Sequence, residues 1–277
     1  MDYALFQGCL DKIPPHVDVH FSAMGEPFLN PECTRMIRYA HQNGHREKVF
    51  TTAVGMSRDD VAALVDIPFI EFALHLPSAE GYERITIDET YLSVLRYLLD
   101  SGIVTSLRCH GETVNPLVQY IVNEPVGRRR LNTQAGNIRL GTTGEPRRKR
   151  GRLLCTRNLD QNVLFPNGDV VLCCMDFGMK HVIGNLVRDD YDGLFSNEEF
   201  LFVQRGLDNP SLDILCRFCE LAREDSLSRK ARNQLRSIRT PSDLFRIVPR
   251  CARYGIRQLR SGRITAGSGH VSHLRDS

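Results

Sequence analysis

The first half of the sequence predicts an α/β fold built on a parallel sheet. Short runs rich in Val, Phe and Leu alternate with segments of helical periodicity, and recognisable cap or stop signals bound those segments. Strands that alternate with helices form β–α units with right-handed crossovers. The second half is rich in cysteine and in short β-type segments, so it predicts a second, smaller module.

Each element of the first half follows from a local signal. A helix opens at Asn30-Pro31 and stops at Asn43-Gly44, Ser57 caps the next, and a third covers Glu89–Leu99 before Ser101-Gly102. The predicted strands are His16–Ser22, Lys48–Thr52, Phe69–Leu76 and Ile103–Cys109. After Asn115 the alternation fails. A strand pair around the Asn167-Gly168 turn and a helix over 197–206 are predicted further on.

Composition narrows the class of protein. The chain has 277 residues, 42% of them apolar, which is enough for one larger or two modest domains. No apolar run is long enough to span a bilayer, and the N-terminus has no signal-peptide pattern, so we expect a cytosolic protein. In a reducing compartment, nine cysteines favour metal ligation or reactivity over a disulfide framework.

Five cysteines of the second half have a spacing typical of metal ligands. Cys216 and Cys219 form a C-x-x-C pair, while Cys155 and Cys173 flank the turn that folds the chain back. Four thiolates so arranged suit either a tetrahedral zinc or an iron–sulfur cluster. Cys174 is the alternative to Cys173, because neighbouring strand residues point to opposite faces. The remaining cysteines are interpreted as structural: Cys9, Cys33, Cys109 and Cys251.

This cysteine pattern resembles the SPASM module of radical S-adenosylmethionine (radical SAM) proteins. The resemblance covers Cys155, Gly168, Cys173, the segment Ile183–Leu186 and Cys216-x-x-Cys219. It implies one auxiliary 4Fe–4S cluster held by Cys155, Cys173, Cys216 and Cys219. The further cysteines of the fuller module are missing after Cys219, which indicates the single-cluster version.

The first half resembles the same family. Residues 16–31, HVDVHFSAMGEPFLNP, are similar to the strand and "GGEP" turn of the radical SAM partial barrel. The resemblance implies that Met24, Gly25, Glu26 and Pro27 hold the amino group of S-adenosylmethionine. Residues on the later strands are further candidates for holding this ligand: His75, Arg108 or Asn115. A second GEP at 144–146 has no strand before it and is attributed to chance.

One family feature is missing. Radical SAM chemistry needs a C-x-x-x-C-x-x-C loop, and only Cys9 precedes Gly25. The fold expected is therefore a partial (β/α) barrel lacking its first strand. Either the chain is a fragment of a complete enzyme, which the unprotected strand edge favours, or it is a degenerate member. In both cases we expect weak S-adenosylmethionine binding and no reductive cleavage by the chain as written.

The C-terminal residues form a separate basic segment. From Arg229 onward there are twelve Lys and Arg against two acidic residues. The predicted organisation is a partial barrel (1–126), a basic Gly/Arg-rich connector (127–152), a SPASM-like domain (153–228) and a basic, partly disordered helical tail (229–277).

Two functions are consistent with these features. The first is an iron–sulfur enzyme or enzyme fragment that modifies a peptide or small molecule, served by an electron donor. The second is a non-catalytic zinc- or iron–sulfur-binding interaction protein that docks through its tail. Few aromatic residues accompany the basic ones, so nucleic acid is not an expected partner.

Overall fold

The structure, a computed structural model, describes residues 1–22, 24–129, 131–138, 147–155 and 157–225, without the side chains of residues 158 and 159. The helices are α1 (Tyr3–Leu10), α2 (Cys33–Gln42), α3 (Arg58–Leu64), α4 (Glu89–Asp100), α5 (Pro116–Gln119), α6 (Arg157–Asp160) and α7 (Glu198–Asp208). The strands are β1 (Val19–Phe21), β2 (Glu47–Thr51), β3 (Glu71–Leu76), β4 (Ser106–Cys109), β5 (Val126–Arg128), β6 (Leu153–Leu154), β7 (Val163–Leu164), β8 (Asp169–Val171), β9 (Val182–Asn185) and β10 (Arg223–Glu224).

The chain divides into two compact units, Met1–Arg223 and Glu224–Ser277. Nearly all described residues belong to the first unit. The predicted basic tail and the second GEP tripeptide lie outside the described residues.

A five-stranded parallel sheet forms the first half, with the strands in sequence order from β1 to β5. Each crossover moves one strand further in the same direction, and helices α2, α3 and α4 connect successive strands. The α/β class predicted from the sequence is confirmed.

The two faces of this sheet differ in character. Along β2, Val49 and Thr51 are buried while Lys48 and Phe50 are half-buried, because successive side chains point to opposite faces. The buried face packs against the helices in a core whose fully buried members include Ile37, Val61, Leu64, Phe72, Leu74, Leu95 and Leu98. The opposite face carries polar side chains.

The elements match their sequence signals with small shifts. Ser57 and Asp60 form a capping box that begins α3. The first predicted strand is shorter than expected, because only Val19–Phe21 pairs with β2. Strand β5 was not predicted, and it extends the sheet beyond β4.

The second half is built on a three-stranded antiparallel sheet in the order β7-β8-β9. The turn between β7 and β8 contains Gly168 at φ +87°, a conformation that favours glycine. Helix α1 joins the two cores, since its Phe6 and Leu10 pack in the first and its Cys9 in the second. The second core also contains Cys173, Cys216 and Cys219.

Candidate functional site: a cysteine cluster and the carboxyl ends of the parallel strands

Three of the four predicted ligand cysteines, Cys173, Cys216 and Cys219, lie in the second core, and Cys155 packs against it. Cys155 follows β6, Cys173 follows β8, and Cys216 lies in the 3₁₀ turn Leu215–Arg217, three residues before Cys219. Cys155 is half-buried and the other three are buried. None of the cysteines in the described ranges forms a disulfide.

Electrostatic coupling shows that these thiols are neighbours. Burial raises the pKa of Cys216 strongly, and the thiolates of Cys155, Cys173 and Cys219 raise it further. Burial also raises the pKa of Cys173 to about 12, and the charges of Cys174, Cys219 and Cys155 add to this rise. A hydrogen bond from the Met175 backbone acts in the opposite direction and lowers the pKa. Because burial raises the pKa of Cys173, Cys216 and Cys219, these three thiols need a positively charged group nearby to become thiolates. No group of three or more His, Cys, Asp or Glu within the described ranges is spaced to hold a single metal ion.

Cationic and amide groups surround the Cys216–Cys219 turn. Burial raises the pKa of Cys219, and backbone hydrogen bonds from Ala222 and Leu221 oppose that rise. Lys149 donates from its amide to the Arg217 carbonyl at 2.8 Å and from its ammonium to the Cys219 carbonyl. These contacts fix the turn and place positive charge where thiolates would form.

Arg217, inside the C-x-x-C pair, is fully buried. Its guanidinium donates to the carbonyls of Gly151 and Gly206, and to that of Leu207 at 3.4 Å. Gly206 and Leu207 belong to the last turn of α7, where helix carbonyls lack intrahelical partners. The side chain therefore ties the turn to α7 and to the segment before β6.

Cys174 has a different environment from Cys173. Its sulfur accepts a hydrogen bond from Arg157 at 3.4 Å and lies 3.9 Å from the amide oxygen of Gln161. Both partners belong to α6 or the residue after it, and Cys174 is only half-buried. The remaining described cysteines, Cys9, Cys33 and Cys109, are buried. Cys251 lies outside the described residues.

The GEP turn is held against the next strand by Glu26. Its carboxylate accepts from the Thr51 hydroxyl at 2.5 Å, from the amide and hydroxyl of Thr52 at 2.6 Å each, and from the Phe28 amide at 3.3 Å. Four donors occupy the acceptor positions that a carboxylate offers. Gly25 is exposed and Met24 half-buried, so their backbone is the accessible part of the turn. Sequence reasoning did not find Thr51 and Thr52, although the Thr-Thr pair ends a predicted strand.

The polar face of the sheet presents charged and aromatic groups in register. Lys48 lies opposite both His20 and Glu71, and His75 lies opposite Arg108. Glu71 bonds to the Arg108 guanidinium and accepts from Ser106 at 3.1 Å. Asp160 of the second half lies close enough to His20 for each charge to affect the other's pKa.

His75, the further candidate for cofactor binding, lies near the carboxyl end of β3. Its Nδ1 atom is 3.1 Å from Nε2 of His110. Burial, together with the charges of His110, Arg108 and Arg129, lowers the pKa of His75 to about 4. His110 follows β4, and no sequence pattern selected it.

Comparison with known proteins defines the class of the cysteine module. Residues 155–220 match the family model of SPASM, described as an iron-sulfur cluster-binding domain. The matched segment contains all four predicted ligands and Cys174. The chain therefore combines an α/β sheet with a segment that matches the SPASM domain. No curated protein matches the chain in a sequence comparison.

Solved structures share the fold of the chain at low sequence identity. BtrN in an open conformation has 15% identity and a TM-score of 0.51, with 81% of this chain and 84% of that chain covered. BtrN in complex with AdoMet and 2-DOIA has 16% identity and a TM-score of 0.52, with 76% and 75% covered. Native anSMEcpe with bound AdoMet and Kp18Cys peptide has 12% identity and a TM-score of 0.51, with 79% and 78% covered. The predicted resemblance to radical SAM proteins with a SPASM domain is confirmed.

The helices in the described ranges do not meet the requirements for crossing a bilayer. None combines the length and the apolar character that a membrane crossing needs.

Proposed function

We propose that the chain is an iron–sulfur protein of the radical SAM/SPASM type, in which Cys155, Cys173, Cys216 and Cys219 hold one 4Fe–4S cluster. The placement of Cys173, Cys216 and Cys219 in one buried core, with Cys155 packed against it and all four inside the segment that matches SPASM, supports the proposal. Thiolates are the ligands of such clusters, and a bound cluster supplies one-electron transfer.

The residues around the cysteines suit this role. Backbone hydrogen bonds to Cys173 and Cys219 favour their thiolate forms. Lys149 adds a positive charge and two hydrogen bonds to the Cys216–Cys219 turn. Arg217 orients both cysteines by anchoring the turn between them to α7. Cys174 faces Arg157 and serves as packing rather than as a ligand in this proposal.

The carboxyl ends of β1 and β2 form the proposed S-adenosylmethionine site, made by Met24, Gly25, Glu26 and Pro27. Glu26 holds the turn through Thr51 and Thr52, so the backbone of Met24 and Gly25 meets the methionine ammonium. His75 is a further contact candidate at the end of β3. The fold shared with structures containing AdoMet supports this assignment.

The activity proposed for the complete protein is radical-based modification of a peptide or small molecule, in the cytosol and with an external electron donor. That chemistry requires three thiolates near the GEP turn. Cys9 is on the N-terminal side of the turn, but it is buried in the second core. We therefore expect the chain as given to bind S-adenosylmethionine weakly and not to cleave it.

Cysteine variants test the ligand assignment. Each of Cys155, Cys173, Cys216 and Cys219 is changed to Ala, and iron and acid-labile sulfide are measured after anaerobic purification. Cys33→Ala is the matched control, because Cys33 is equally buried but lies in the other core. Cys174→Ala tests whether Cys173 or its neighbour Cys174 is the ligand. Loss of iron in the four variants, with retention in both Cys33→Ala and Cys174→Ala, is expected.

The alternative function makes a different prediction from the same variants. A zinc-binding interaction protein would lose zinc rather than iron and sulfide when Cys216 or Cys219 is removed. Iron loss in Cys174→Ala with retention in Cys173→Ala would exchange the roles of these two residues.

A further inference from the structure

His181 is a buried imidazole whose two ring nitrogen atoms both have partners. The residue is 1% exposed and comes directly before β9. Its Nδ1 atom lies 2.6 Å from Oε1 of Glu199, and its Nε2 atom accepts a hydrogen bond from the Leu215 amide at 3.0 Å. The side chain therefore links α7 to the turn that contains Cys216.

The Leu215 amide depends on this contact. Leu215 begins the 3₁₀ turn Leu215–Arg217, and the first N–H groups of such a turn have no partner within it. Ile214, which precedes the turn, has no side-chain acceptor to cap it. Since Leu215 is buried, loss of the imidazole would leave an unsatisfied amide, at a cost of about 1–3 kcal/mol.

The same contact fixes the tautomer of the imidazole. An N–H group can donate only to a nitrogen with a free lone pair, so Nε2 is unprotonated and the ring hydrogen is on Nδ1. Nδ1–H then donates to the carboxylate of Glu199. Glu199 lies in the first turn of α7, where the helix N-terminus favours a negative charge. Glu199 therefore selects the tautomer of His181 that can accept from Leu215.

The backbone of His181 holds a second cysteine segment. Its carbonyl accepts from the Leu172 amide at 3.0 Å. Leu172 precedes Cys173 in the same way that Leu215 precedes Cys216. One residue is thus bonded to the neighbours of two cysteines that lie far apart in the sequence.

Asp176 in turn fixes the backbone of His181. Its carboxylate is fully buried and accepts from the amides of Lys180 and His181 at 2.8 Å each. The Asp176 amide donates to the Cys173 carbonyl at 3.0 Å. Hydrogen bonds therefore close the segment from Cys173 to His181 at both ends.

We propose that His181 is a positioning residue for the metal group held by the cysteines. In its Nδ1–H tautomer it holds the Cys173 segment against the Cys216 turn, and Glu199 maintains that tautomer. The inference rests on the proposed function, in which both cysteines are ligands. His181 is not itself a ligand, because both of its ring nitrogen atoms are already bonded. Residues that orient metal ligands contribute about 10- to 100-fold to metal affinity.

Two amide substitutions in the full chain test this role. The side-chain oxygen of Gln reaches the position of Nε2 and can still accept from Leu215, whereas the shorter Asn reaches only the position of Nδ1. After anaerobic purification, the release of metal to a chelator is followed for both variants. We expect His181→Asn to release metal about tenfold faster than the wild type, and His181→Gln to stay close to the wild-type rate.

Two further readouts separate positioning from a general loss of stability. The clusters that remain in His181→Asn are reduced, and we expect their EPR spectrum to differ from that of the wild type because the Cys216 turn is displaced. Hydrogen exchange of the Leu215 amide should be faster in His181→Asn and unchanged in His181→Gln. An unchanged EPR spectrum together with unchanged exchange in His181→Asn would overturn the inference.

His45→Asn is the matched control. His45 is 4% exposed, and its Nδ1 atom lies 2.9 Å from the Val17 carbonyl, in the first half of the chain. This variant should leave metal release and the EPR spectrum unchanged. Equal release rates in His181→Asn and His181→Gln, or equally fast release in His45→Asn, would contradict the positioning role.

The same measurements distinguish this inference from the proposed function. If the purified chain contains zinc without sulfide, the proposed function fails; zinc release that is fast in His181→Asn and slow in His181→Gln would then still support the role of His181. If iron and sulfide are present but are released at the same rate from all variants, the proposed function stands and the inference is overturned.

Discussion

Thr52 donates two hydrogen bonds to one oxygen of Glu26, from its amide and from its hydroxyl, each at 2.6 Å. Because Glu26 follows β1 and Thr52 follows β2, this contact joins the carboxyl ends of two neighbouring strands. The glutamate of the GEP turn is thus a positioning residue, and the backbone beside it is the surface offered to a ligand.

Replacing Glu26 by Gln tests that positioning role. Whichever way the Gln amide is turned, its nitrogen cannot accept, so it loses the bond from Phe28 or those from Thr52, and the remaining bonds are no longer charge-assisted. We expect the free energy of unfolding, measured by urea titration, to fall by about 2–3 kcal/mol. Glu32→Gln is the control, since the Glu32 side chain forms an exposed ion pair with Arg35. Equal stability of the two variants would show that the contact does not hold the turn.

Arg217 gives a prediction for the cysteine module. Arg217→Met removes the guanidinium donors to the half-buried Gly151 carbonyl and to the buried Gly206 carbonyl. About 1–3 kcal/mol of stability should be lost for each carbonyl, with reduced iron retention. Arg217→Lys keeps the positive charge but not the planar guanidinium with its several N–H donors. We therefore expect a loss of stability between that of the wild type and that of Arg217→Met. Arg205→Met, on the exposed side of α7, should match the wild type in iron content and stability; a similar loss there would contradict this account.

His75 predicts a pH dependence of stability. The folded protein protonates His75 only near pH 4, whereas the unfolded chain protonates it near the ordinary value of 6.5. Between these values the unfolded state binds more protons, so stability falls as the pH drops from about 6.5 to about 4 and this contribution then levels off. The total contribution is at most about 3 kcal/mol.

The variant His75→Asn isolates this effect from the other titrating groups. Its free energy of unfolding should decline less steeply than that of the wild type across the same interval. Urea titrations at several pH values between 7.5 and 4 measure the difference. Parallel pH profiles for the two proteins would contradict the assigned pKa shift.

The strands and helices of the first half could be predicted because their signals are local. Ser57 with Asp60, and Ser101-Gly102, mark helix ends by their own backbone chemistry. Strand β5 could not be predicted, since Val126–Arg128 is short and contains a glycine. It is a strand because β4 supplies hydrogen-bonding partners, which is a tertiary effect.

The candidate site also contains residues that could be predicted from the sequence and residues that could not. Cysteine spacing and the Asn167-Gly168 turn selected four residues that lie in the second core or pack against it, and their role as cluster ligands stays a prediction. The contacts of Glu26 with Thr52 and of His75 with His110 join residues 26 and 35 positions apart, and no periodic pattern links them. Such pairs depend on the order of strands in the sheet, which the sequence specifies only through folding.

The central claim is that the four cysteines hold an iron–sulfur cluster, and metal analysis of the anaerobically purified chain tests it most directly. Iron, acid-labile sulfide and zinc are quantified together with the visible absorption spectrum. The account predicts about four iron and four sulfide per chain, with a broad visible band. About one zinc per chain with no sulfide would contradict it, because the same thiols would then form a structural zinc site.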